Sequence, residues 1–495
     1  MLCGYAFLAD KCGSSRISLD ETARLDTGVN RLVREGNALL VPARMAPASD
    51  DLFAHIAFAI KHEGMNLEIL AQALPHVSED QIEQAVEQRP TSALMRKIAW
   101  LWETFTRREL RHSSAKGQYA KLFCESEYFT GPEIRIPRWR VVYNGLGPIE
   151  YCPIVRKTKK LSDDGIAALF ERLQRELNAI PSSLLARASN WAYLSETRSS
   201  FEIEREAPSG SKTERFIELL KKAGSFERLN EALLCDMQNQ IVSSPFSEAF
   251  AYRSEQNWLA NSSSRGVLRI TYVPPPPEIL DDLMSGLLAI ANASPGSINP
   301  LIRAGVASFG FVFLHPFLDG NGRLSRFLIH QQLLRGKVIP QGALLPVSAA
   351  ILEHEAEYLA ALERFSVPCR KLWKVIQTGE TEYDFLFLGH PAAYRYRDAT
   401  AECEFLFDRI RESIERLIPE EIDFLEKYDR IYSALNERFD VVQKDLDLIV
   451  ATAVASGRIS QNLRKKLRFR VEDEVFDALD ELLAKERTLS SEKTC

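Results

Sequence analysis

A long apolar helix that runs into a glycine-bearing loop and a second helix constrains this chain most. Apolar residues recur at three- and four-residue steps from 298 to 314, and near the end of that segment they cover almost the whole circumference. This pattern predicts a buried central helix. His315 ends it, because Pro316 disfavours helical angles in the residue before it. The loop from Asp319 then leads into a helix predicted from Arg323 to Arg335, so the stretch is helix, loop, helix.

The loop carries the groups that a phosphate site requires. Gly320 and Gly322 permit backbone angles that other residues disfavour, and Asn321 is a favoured N-cap. The backbone amides of this turn can therefore converge on an anion at the positive end of the helix. Arg323 and Arg326 lie three residues apart, hence on one helix face, where their guanidinium groups can hold further phosphate oxygens. The turn predicts a site for more than one phosphate.

Two further side chains suggest a reaction at this site. Asp319 would repel a bare polyphosphate unless a divalent cation lay between them, and magnesium is typically held by one or two carboxylates plus phosphate oxygens. His315 has an ordinary pKa near neutrality and can accept a proton from an incoming hydroxyl. The set predicts transfer of a phosphorus group to a hydroxyl.

The stretch HPFLDGNGR resembles the Fic-family motif HPFxDGNGR at every fixed position, and Arg326 matches the additional arginine that often follows. The resemblance implies a helical Fic domain, about residues 185 to 365, that transfers AMP from ATP to a protein hydroxyl and releases pyrophosphate. It assigns His315 as general base and Asp319 as the Mg²⁺ ligand. It also assigns the nucleotide-binding residues Gly320, Asn321, Gly322, Arg323 and Arg326.

A predicted helix from 184 to 205 carries a second family feature. Fic proteins often have an inhibitory helix of the form [ST]xxxE[GN], whose glutamate pairs with the second motif arginine. Ser200 and Glu204 fit the serine and the glutamate, whereas Arg205 replaces the usual Gly or Asn. Glu202 is an alternative inhibitory residue.

Alternating residues from Val267 to Val273 predict a strand ahead of the proline run 274–277, which acts as a stiff spacer. The resemblance implies that this strand belongs to a β-hairpin flap that pins the backbone of a target protein by strand addition. The docking residues would be Leu268, Arg269, Ile270 and Thr271. An ordinary edge strand is the alternative.

The sequence predicts a mainly α protein of several domains. Helical patterns fill most of the N-terminal part, and Asn144-Gly145 is a strong hairpin signal. The expected organisation is an N-terminal α(+β) domain at 1–130, a hairpin or extended arm at 131–160, a Fic domain with its flap at 161–370, a linker at 371–400, a helical or winged-helix-like domain at 401–486 and a disordered tail at 487–495.

A basic run, Arg458 to Arg470, lacks acidic residues and follows a helical segment and Gly457. It allows a helix-turn-helix or winged-helix reader of DNA. The contacts would come from Arg464, Lys465, Lys466 and Arg468. A solvated basic helix face is the other interpretation, because no base-reading Asn or Gln run is present.

Composition limits the remaining function classes. A net charge of −6, with 45% hydrophobic and 26% charged residues, is typical of a soluble protein without a general basic surface. No window approaches the roughly 18 apolar residues that cross a bilayer, and the N-terminus lacks a signal-peptide pattern. Scattered cysteines indicate neither a zinc site nor a disulfide framework. We therefore expect a cytoplasmic protein with no membrane partner.

The sequence leaves three functions open. The first is an autoinhibited protein adenylyltransferase whose partners are ATP and a protein substrate, with the chain itself among the candidates. The second is a Fic-type enzyme that uses another nucleotide or removes AMP. The third is a DNA-binding or partner-binding regulator. A homo-oligomer is also compatible with the sequence.

Two other nucleotide-binding sites are excluded. Ser325 stands where the Rossmann pattern requires its third glycine, and the Walker pattern of a P-loop does not occur.

Overall fold

The computed structural model describes residues 1–12, 19, 21–111, 115–207, 210–242, 247–261 and 264–492. Helices make up most of this part of the chain, and its strands are two to five residues long. The prediction of a mainly α protein is confirmed. The three largest groups of buried apolar residues define an N-terminal unit, a central unit and a C-terminal unit.

The N-terminal unit combines helices with two small sheets, and its largest core contains the buried side chains of Trp102 and Trp139. Strand β3 pairs with β1 in parallel and with β2 antiparallel, and β6 pairs likewise with β4 and β5. The elements are α1 (Gly4–Lys11), β1 (Thr22–Leu25), β2 (Val33–Glu35), β3 (Ala38–Val41), α2 (Leu52–His62), α3 (Leu67–Ala73), α4 (Glu79–Gln88), α5 (Ala93–Thr106), β4 (Ala120–Lys121), β5 (Ile134–Ile136) and β6 (Val141–Tyr143). Side-chain N-caps begin α2 to α5: Asp51, Asn66, Ser78 and Ser92.

The hairpin predicted at Asn144-Gly145 turns earlier than expected. Strands β5 and β6 pair antiparallel across residues 137–140. Asn144 is fully buried, and its side chain accepts a hydrogen bond from Phe123 N at 2.9 Å and donates one to Phe123 O at 3.0 Å. The amide therefore joins two loops, and the segment is buried in the N-terminal core through Trp139 and Tyr143 rather than extended as an arm.

The central unit is built around α11, which is buried along nearly its whole length as the sequence predicts. It packs most extensively against α12 and α10. The elements are α6 (Asp163–Ala179), α7 (Ser182–Ile203), α8 (Gly210–Lys221), α9 (Glu231–Ile241), β7 (Leu259–Ala260), β8 (Ile270–Tyr272), α10 (Leu280–Ala291), α11 (Pro300–Leu314), α12 (Asn321–Arg335), α13 (Val347–Glu353), α14 (Glu355–Arg370), β9 (Trp373–Gln377), β10 (Tyr383–Phe387), α15 (Ala392–Arg395) and α16 (Thr400–Glu412).

Residues 371–400 form a folded segment instead of the expected linker. Strands β9 and β10 pair antiparallel, and their aromatic side chains pack beside β8. Trp373 Nε1 donates to Tyr394 Oη at 2.8 Å, and Tyr394 Oη donates to Val273 O at 2.8 Å. In the sequence, aromatic residues alternate with a period of two at Tyr383, Phe385 and Phe387, which is the pattern of a strand.

The C-terminal unit is smaller than predicted. Residues Cys403, Leu406 and Ile410 of α16 belong to the central core, and a π-helical turn at Ser413–Leu417 leads into the last unit. That unit contains α17 (Ile418–Asn436), α18 (Gln443–Ser456), α19 (Gln461–Leu467) and α20 (Asp473–Glu492). Residues 418–492 are described throughout and contain no strand, so a wing is not formed there. Residues 487–492, expected in the tail, continue α20.

Two expectations from composition can be compared with the structure. The seven cysteines within the described ranges are free thiols. Among the described helices, none combines the length and the apolar character needed to cross a membrane.

Candidate active site

His315 lies at the junction of α11 and the motif loop, in a left-handed backbone conformation with φ 50° and ψ 58°. A non-glycine residue reaches this region only at a cost of about 1–2 kcal/mol. The main-chain oxygen of His315 accepts hydrogen bonds from Arg253 Nε at 2.9 Å and from Asn257 Nδ2 at 3.3 Å. These two side chains hold the strained turn in place. Sequence reasoning missed both of them, because neither belongs to a recognisable local pattern.

The imidazole of His315 is oriented as a proton acceptor. Its Nδ1 lies 3.1 Å from Val312 O. A carbonyl oxygen only accepts, so Nδ1 carries the hydrogen of the neutral ring and Nε2 keeps its lone pair. Burial, aided by the positive charge of Arg253 and opposed by the hydrogen bond to Val312, lowers the pKa of His315 to about 4. The ring is therefore neutral at neutral pH.

The loop conformation is set by Asn321 and Gly320. Asn321 accepts from Phe317 N at 3.0 Å and donates to Phe317 O at 2.8 Å, so its side chain closes the loop from within. It does not cap the helix as predicted, since Gly320 occupies the N-cap position with φ 84° and α12 already begins at Asn321. A left-handed N-cap favours glycine, and this accounts for Gly320.

Arg326, on α12, is buried and engaged by the end of α7. Its Nε donates to Ser200 Oγ at 2.8 Å, and its Nη2 donates to Ser200 O at 2.7 Å and to Glu204 Oε1 at 2.8 Å. A Cβ added to Gly322 would lie 1.9 Å from Glu204 Oε1. The carboxylate of Glu204 thus lies directly against the first turn of α12. Ser200 and Glu204, the two predicted inhibitory residues, therefore both contact Arg326, the second motif arginine.

Arg323 is buried as well and is held by three groups. Its Nη2 donates to Asp319 Oδ1 at 2.8 Å, and its Nη1 donates to Glu206 Oε2 and to Ile241 O, both at 3.0 Å. Glu206 was not predicted, because it lies outside the inhibitory pattern. Glu202, the alternative inhibitory residue, is exposed and makes none of these contacts. The second glutamate of the site is Glu206.

The departure at Arg205 has a structural counterpart. Arg205 adopts φ 57°, the left-handed conformation that commonly ends a helix and that Gly or Asn adopts most easily. The pattern [GN] at this position therefore reflects a backbone requirement. Arg205 meets it at a cost in conformational energy, and the chain still turns so that Glu204 and Glu206 both face α12.

The body of α7 is fixed to the motif helix by a buried polar cluster. Glu196 Oε1 lies 2.7 Å from His330 Nε2 of α12, and Glu196 Oε2 accepts from Ser348 N at 2.7 Å. All three residues are at most 1% exposed. Burial of this kind makes the contacts costly to break, so the cluster fastens the middle of α7 to α12.

Residues 228–333, which contain the motif loop and both arginines, match the Fic/DOC family. This part of the chain is a Fic/DOC domain. The match begins after α7 and lies within the limits that the sequence predicted for the domain.

Curated relatives of the Fic domain are adenylyltransferases by name. "Protein adenylyltransferase fic-1" of Caenorhabditis briggsae is 35% identical over 92 residues, 18% of this chain and 17% of the relative. "Protein adenylyltransferase Fic" of Culex quinquefasciatus is 27% identical over 194 residues, 34% of this chain and 39% of the relative. The chain thus matches less than half of either relative.

A solved structure, a Fic domain-containing signaling protein of Bacteroides thetaiotaomicron, has a TM-score of 0.38 and 18% identity to this chain. The alignment covers 52% of this chain and 95% of that one.

Beside the Fic motif loop, β7 and β8 form the expected hairpin, but it is shorter than predicted. Gly266–Arg269 is a 3₁₀ turn, so Leu268 and Arg269 precede the strand and only Ile270 and Thr271 lie on it. Asn261 N donates to Arg269 O at 2.8 Å beside this turn. Arg370 Nε donates to Ile270 O at 3.0 Å and ties α14 to β8. Target docking by these residues stays a prediction.

The C-terminal basic residues belong to a different core from the Fic site. Arg464 pairs with Asp480 and lies 3.5 Å from Asp477, while Arg468 stacks over Phe469 at 4.4 Å. Lys465 and Lys466 are exposed. Part of the basic charge is therefore neutralised within the unit, and DNA contact stays a prediction.

Proposed function

We propose that the chain is a protein adenylyltransferase that transfers AMP from ATP to a hydroxyl side chain of a target protein. The observation that carries the proposal is the neutral, acceptor-oriented His315 beside a turn of amides and two buried arginines. The names of the two curated relatives support the same activity.

The proposed step uses each group in turn. His315 Nε2 takes the proton of the target hydroxyl as the hydroxyl oxygen forms a bond to the α-phosphorus of ATP. The bond between that phosphorus and the bridging oxygen breaks, and pyrophosphate leaves with the electron pair. The amides at 320–322 and the guanidinium groups of Arg323 and Arg326 would hold the phosphates in line.

Two orphaned donors fit an anionic ligand. Arg323 Nε and Arg326 Nη1 are buried and have no hydrogen-bond partner among the described residues. An unpaired buried donor is costly, and a phosphate oxygen would satisfy it. The proposed triphosphate would therefore complete two arginines whose other nitrogens already donate to the protein, to Asp319, Glu206 and Ile241 from Arg323 and to Ser200 and Glu204 from Arg326.

Asp319 fits the proposed Mg²⁺. Asp319 Oδ1 accepts hydrogen bonds from Gly320 N at 2.6 Å and from Arg323 Nη2 at 2.8 Å. The side chain of Asp319 is 37% exposed. A single carboxylate with an accessible oxygen is the protein share that magnesium takes when phosphates supply other ligands. When bound, the ion would neutralise charge on the phosphates.

We further propose that Glu204 inhibits the transferase. Its carboxylate lies against Gly322 and pairs with Arg326, so a phosphate at the same amides would meet both its volume and its charge. The side chain of Glu204 is 35% exposed, which lets it leave the site more easily than a fully buried group. Inhibition would then be reversible.

The test is label transfer from α-phosphate-labelled ATP to protein in a host lysate with Mg²⁺. We expect Glu204→Ala to raise labelling, and Glu202→Ala, which removes an exposed glutamate from the same turn, to leave it unchanged. His315→Ala in the Glu204→Ala background should abolish it. Labelling that persists without His315 would overturn the mechanism, and stronger competition by unlabelled GTP, CTP or UTP than by ATP would reassign the nucleotide.

A further inference from the structure

A cavity of about 620 Å³ lies between the N-terminal unit and the central unit, apart from the motif loop. Its walls come from α3 and the residues before it, from the segment 154–156, from α14 and from residues 393–402. Cavities of about 300–1,000 Å³ at domain junctions are typical small-molecule sites.

Most of the charge in the lining is already paired. Three arginine–carboxylate pairs cancel one another: Arg34 with Glu21 at 2.8 Å, Arg156 with Asp398 at 3.2 Å and Arg397 with Glu402 at 3.0 Å. Burial raises the pKa of Glu402 to about 7, against the charge of Arg397 and, to a smaller extent, the charge of Arg364 in the same wall. Three of the four arginines of the cavity are therefore engaged by protein carboxylates, and these three do not call for an anionic ligand.

Two carboxylates of the lining lack such a cation. The carboxylate of Glu68, on α3, has no hydrogen-bond or ion-pair partner among the described residues. Glu63 accepts a hydrogen bond from Tyr5 N at 3.0 Å. Burial raises the pKa of each to about 7. Burial and then the charge of Glu68 raise the pKa of the Cys369 thiol, which places Glu68 close to α14.

An unpaired carboxylate in a partly buried wall is unfavourable, and a cation would reduce that cost. The rest of the lining includes apolar side chains, among them Met65, Phe365 and Leu372. In the described part of the chain, no group of three or more His, Cys, Asp or Glu side chains is placed to hold a metal ion. The lining therefore favours an organic cation over a metal.

We propose that this cavity binds a small organic cation, a primary amine or guanidinium with an apolar portion, whose charged group pairs with Glu68. The apolar portion would lie along Phe365 and Leu372. Nothing in this assignment depends on the reaction at the motif loop.

Helix α14 connects the cavity to the candidate active site. Phe365 and Cys369 line the cavity, and Arg370 Nε donates to Ile270 O of β8 at 3.0 Å. The buried Tyr358 faces Arg326. Burial raises the pKa of Tyr358, and the charge of Arg326 opposes that rise. A ligand that shifts α14 would act on both. The cavity is thus an effector site of the transferase, a role that rests on the proposed function.

Binding is tested by isothermal titration calorimetry of the full chain with phenethylamine, agmatine and spermidine, and with 2-phenylethanol as an uncharged analogue of the first. We expect saturable binding of at least one amine and none of 2-phenylethanol. Glu68→Gln should weaken binding by about tenfold or more, and Glu87→Gln, an exposed carboxylate of the same unit, should not. Failure of all three amines, or undiminished binding to Glu68→Gln, would overturn the site.

The effector role is tested separately with Glu204→Ala in the labelling assay. The bound amine should change the labelling rate about fivefold or more, and the additional change Glu68→Gln should remove that effect. A labelling rate that does not respond to a bound amine would overturn the effector role. Because labelling itself would persist, that outcome differs from failure of the proposed transferase.

Discussion

Arg326 Nη2 and Glu204 Oε1 lie 2.8 Å apart, and the same carboxylate oxygen stands where a side chain on Gly322 would begin. Glu204 thus pairs with the positive charge, and fills the space beside Gly322, that a bound phosphate would need.

Arg205→Gly should stabilise the protein. The residue has φ 57°, and glycine removes about 1–2 kcal/mol of left-handed strain while it adds about 0.5–1 kcal/mol of unfolded-state entropy. We expect a net gain of about 0.5–1 kcal/mol in the free energy of unfolding, measured by urea denaturation. Arg198→Gly, in the middle of α7, should instead lose about 1 kcal/mol. Equal losses in both variants would show that φ at 205 is not the determinant.

Glu206→Gln should increase the affinity for ATP. Its carboxylate pairs with Arg323 Nη1 at 3.0 Å and is partly exposed. Without this pair the arginine is available to the phosphates, and we expect the binding free energy of ATP to improve by about 0.5–1 kcal/mol, which is about two- to fivefold in affinity. Titration of a fluorescent ATP analogue measures the change. In a double-mutant cycle with Glu204→Ala the two effects should add, because they act on different arginines; an unchanged affinity in Glu206→Gln would contradict a role for this pair.

Arg253→Gln should reduce the labelling rate by about ten- to a hundredfold with little change in the KM for ATP, since it loosens the turn that aims His315. It should also move the acid limb of the pH profile. Arg253 lowers the pKa of His315, and the neutral ring is the active form, so loss of the positive charge raises that pKa and activity falls at a higher pH. Arg265→Gln, an exposed arginine nearby in sequence, serves as control. A slower enzyme with an unshifted acid limb would limit Arg253 to packing.

Asp319→Asn should separate nucleotide binding from metal dependence. Without Mg²⁺ the carboxylate repels phosphates, so the variant should bind ATP in EDTA at least as tightly as the parent. With Mg²⁺ the variant should need more of the ion for half-maximal labelling. Asp236→Asn, an exposed aspartate on α9, should change neither value. Weaker ATP binding in EDTA would show that Asp319 acts on the loop and not on the metal.

The site divides into residues that local sequence predicts and residues that it does not. His315, the glycines and the two arginines fall on one short stretch, where helix stops and turn residues fix their relative positions. Arg253, Asn257 and Glu206 reach the same site from distant segments, and a single polar residue in a loop or helix end gives no local signal of its target. Their roles depend on tertiary packing.

The fold shows the same division. Periodic apolar patterns predicted α11 and the helix that follows the motif, because burial imposes the period directly. The turn of the β5–β6 hairpin lies at 137–140 and not at Asn144-Gly145 as the sequence predicts, because the side chain of Asn144 bonds to the main chain of Phe123. The extent of the central core into α16 depends on contacts with α11 that no local pattern reveals.

The buried cluster of Glu196, His330 and Ser348 limits how the proposed inhibitory segment at the end of α7 can open. Together with the buried Ser200 and Phe201 it fastens α7 into its last turn, so release of Glu204 and Glu206 requires only that the chain after Phe201 uncoil. That end already carries a strained Arg205. If the proposed inhibition holds, activation would then resemble the fraying of a helix terminus, a local fluctuation, and a partner that captures the frayed end could keep the proposed transferase active without rearranging the domain.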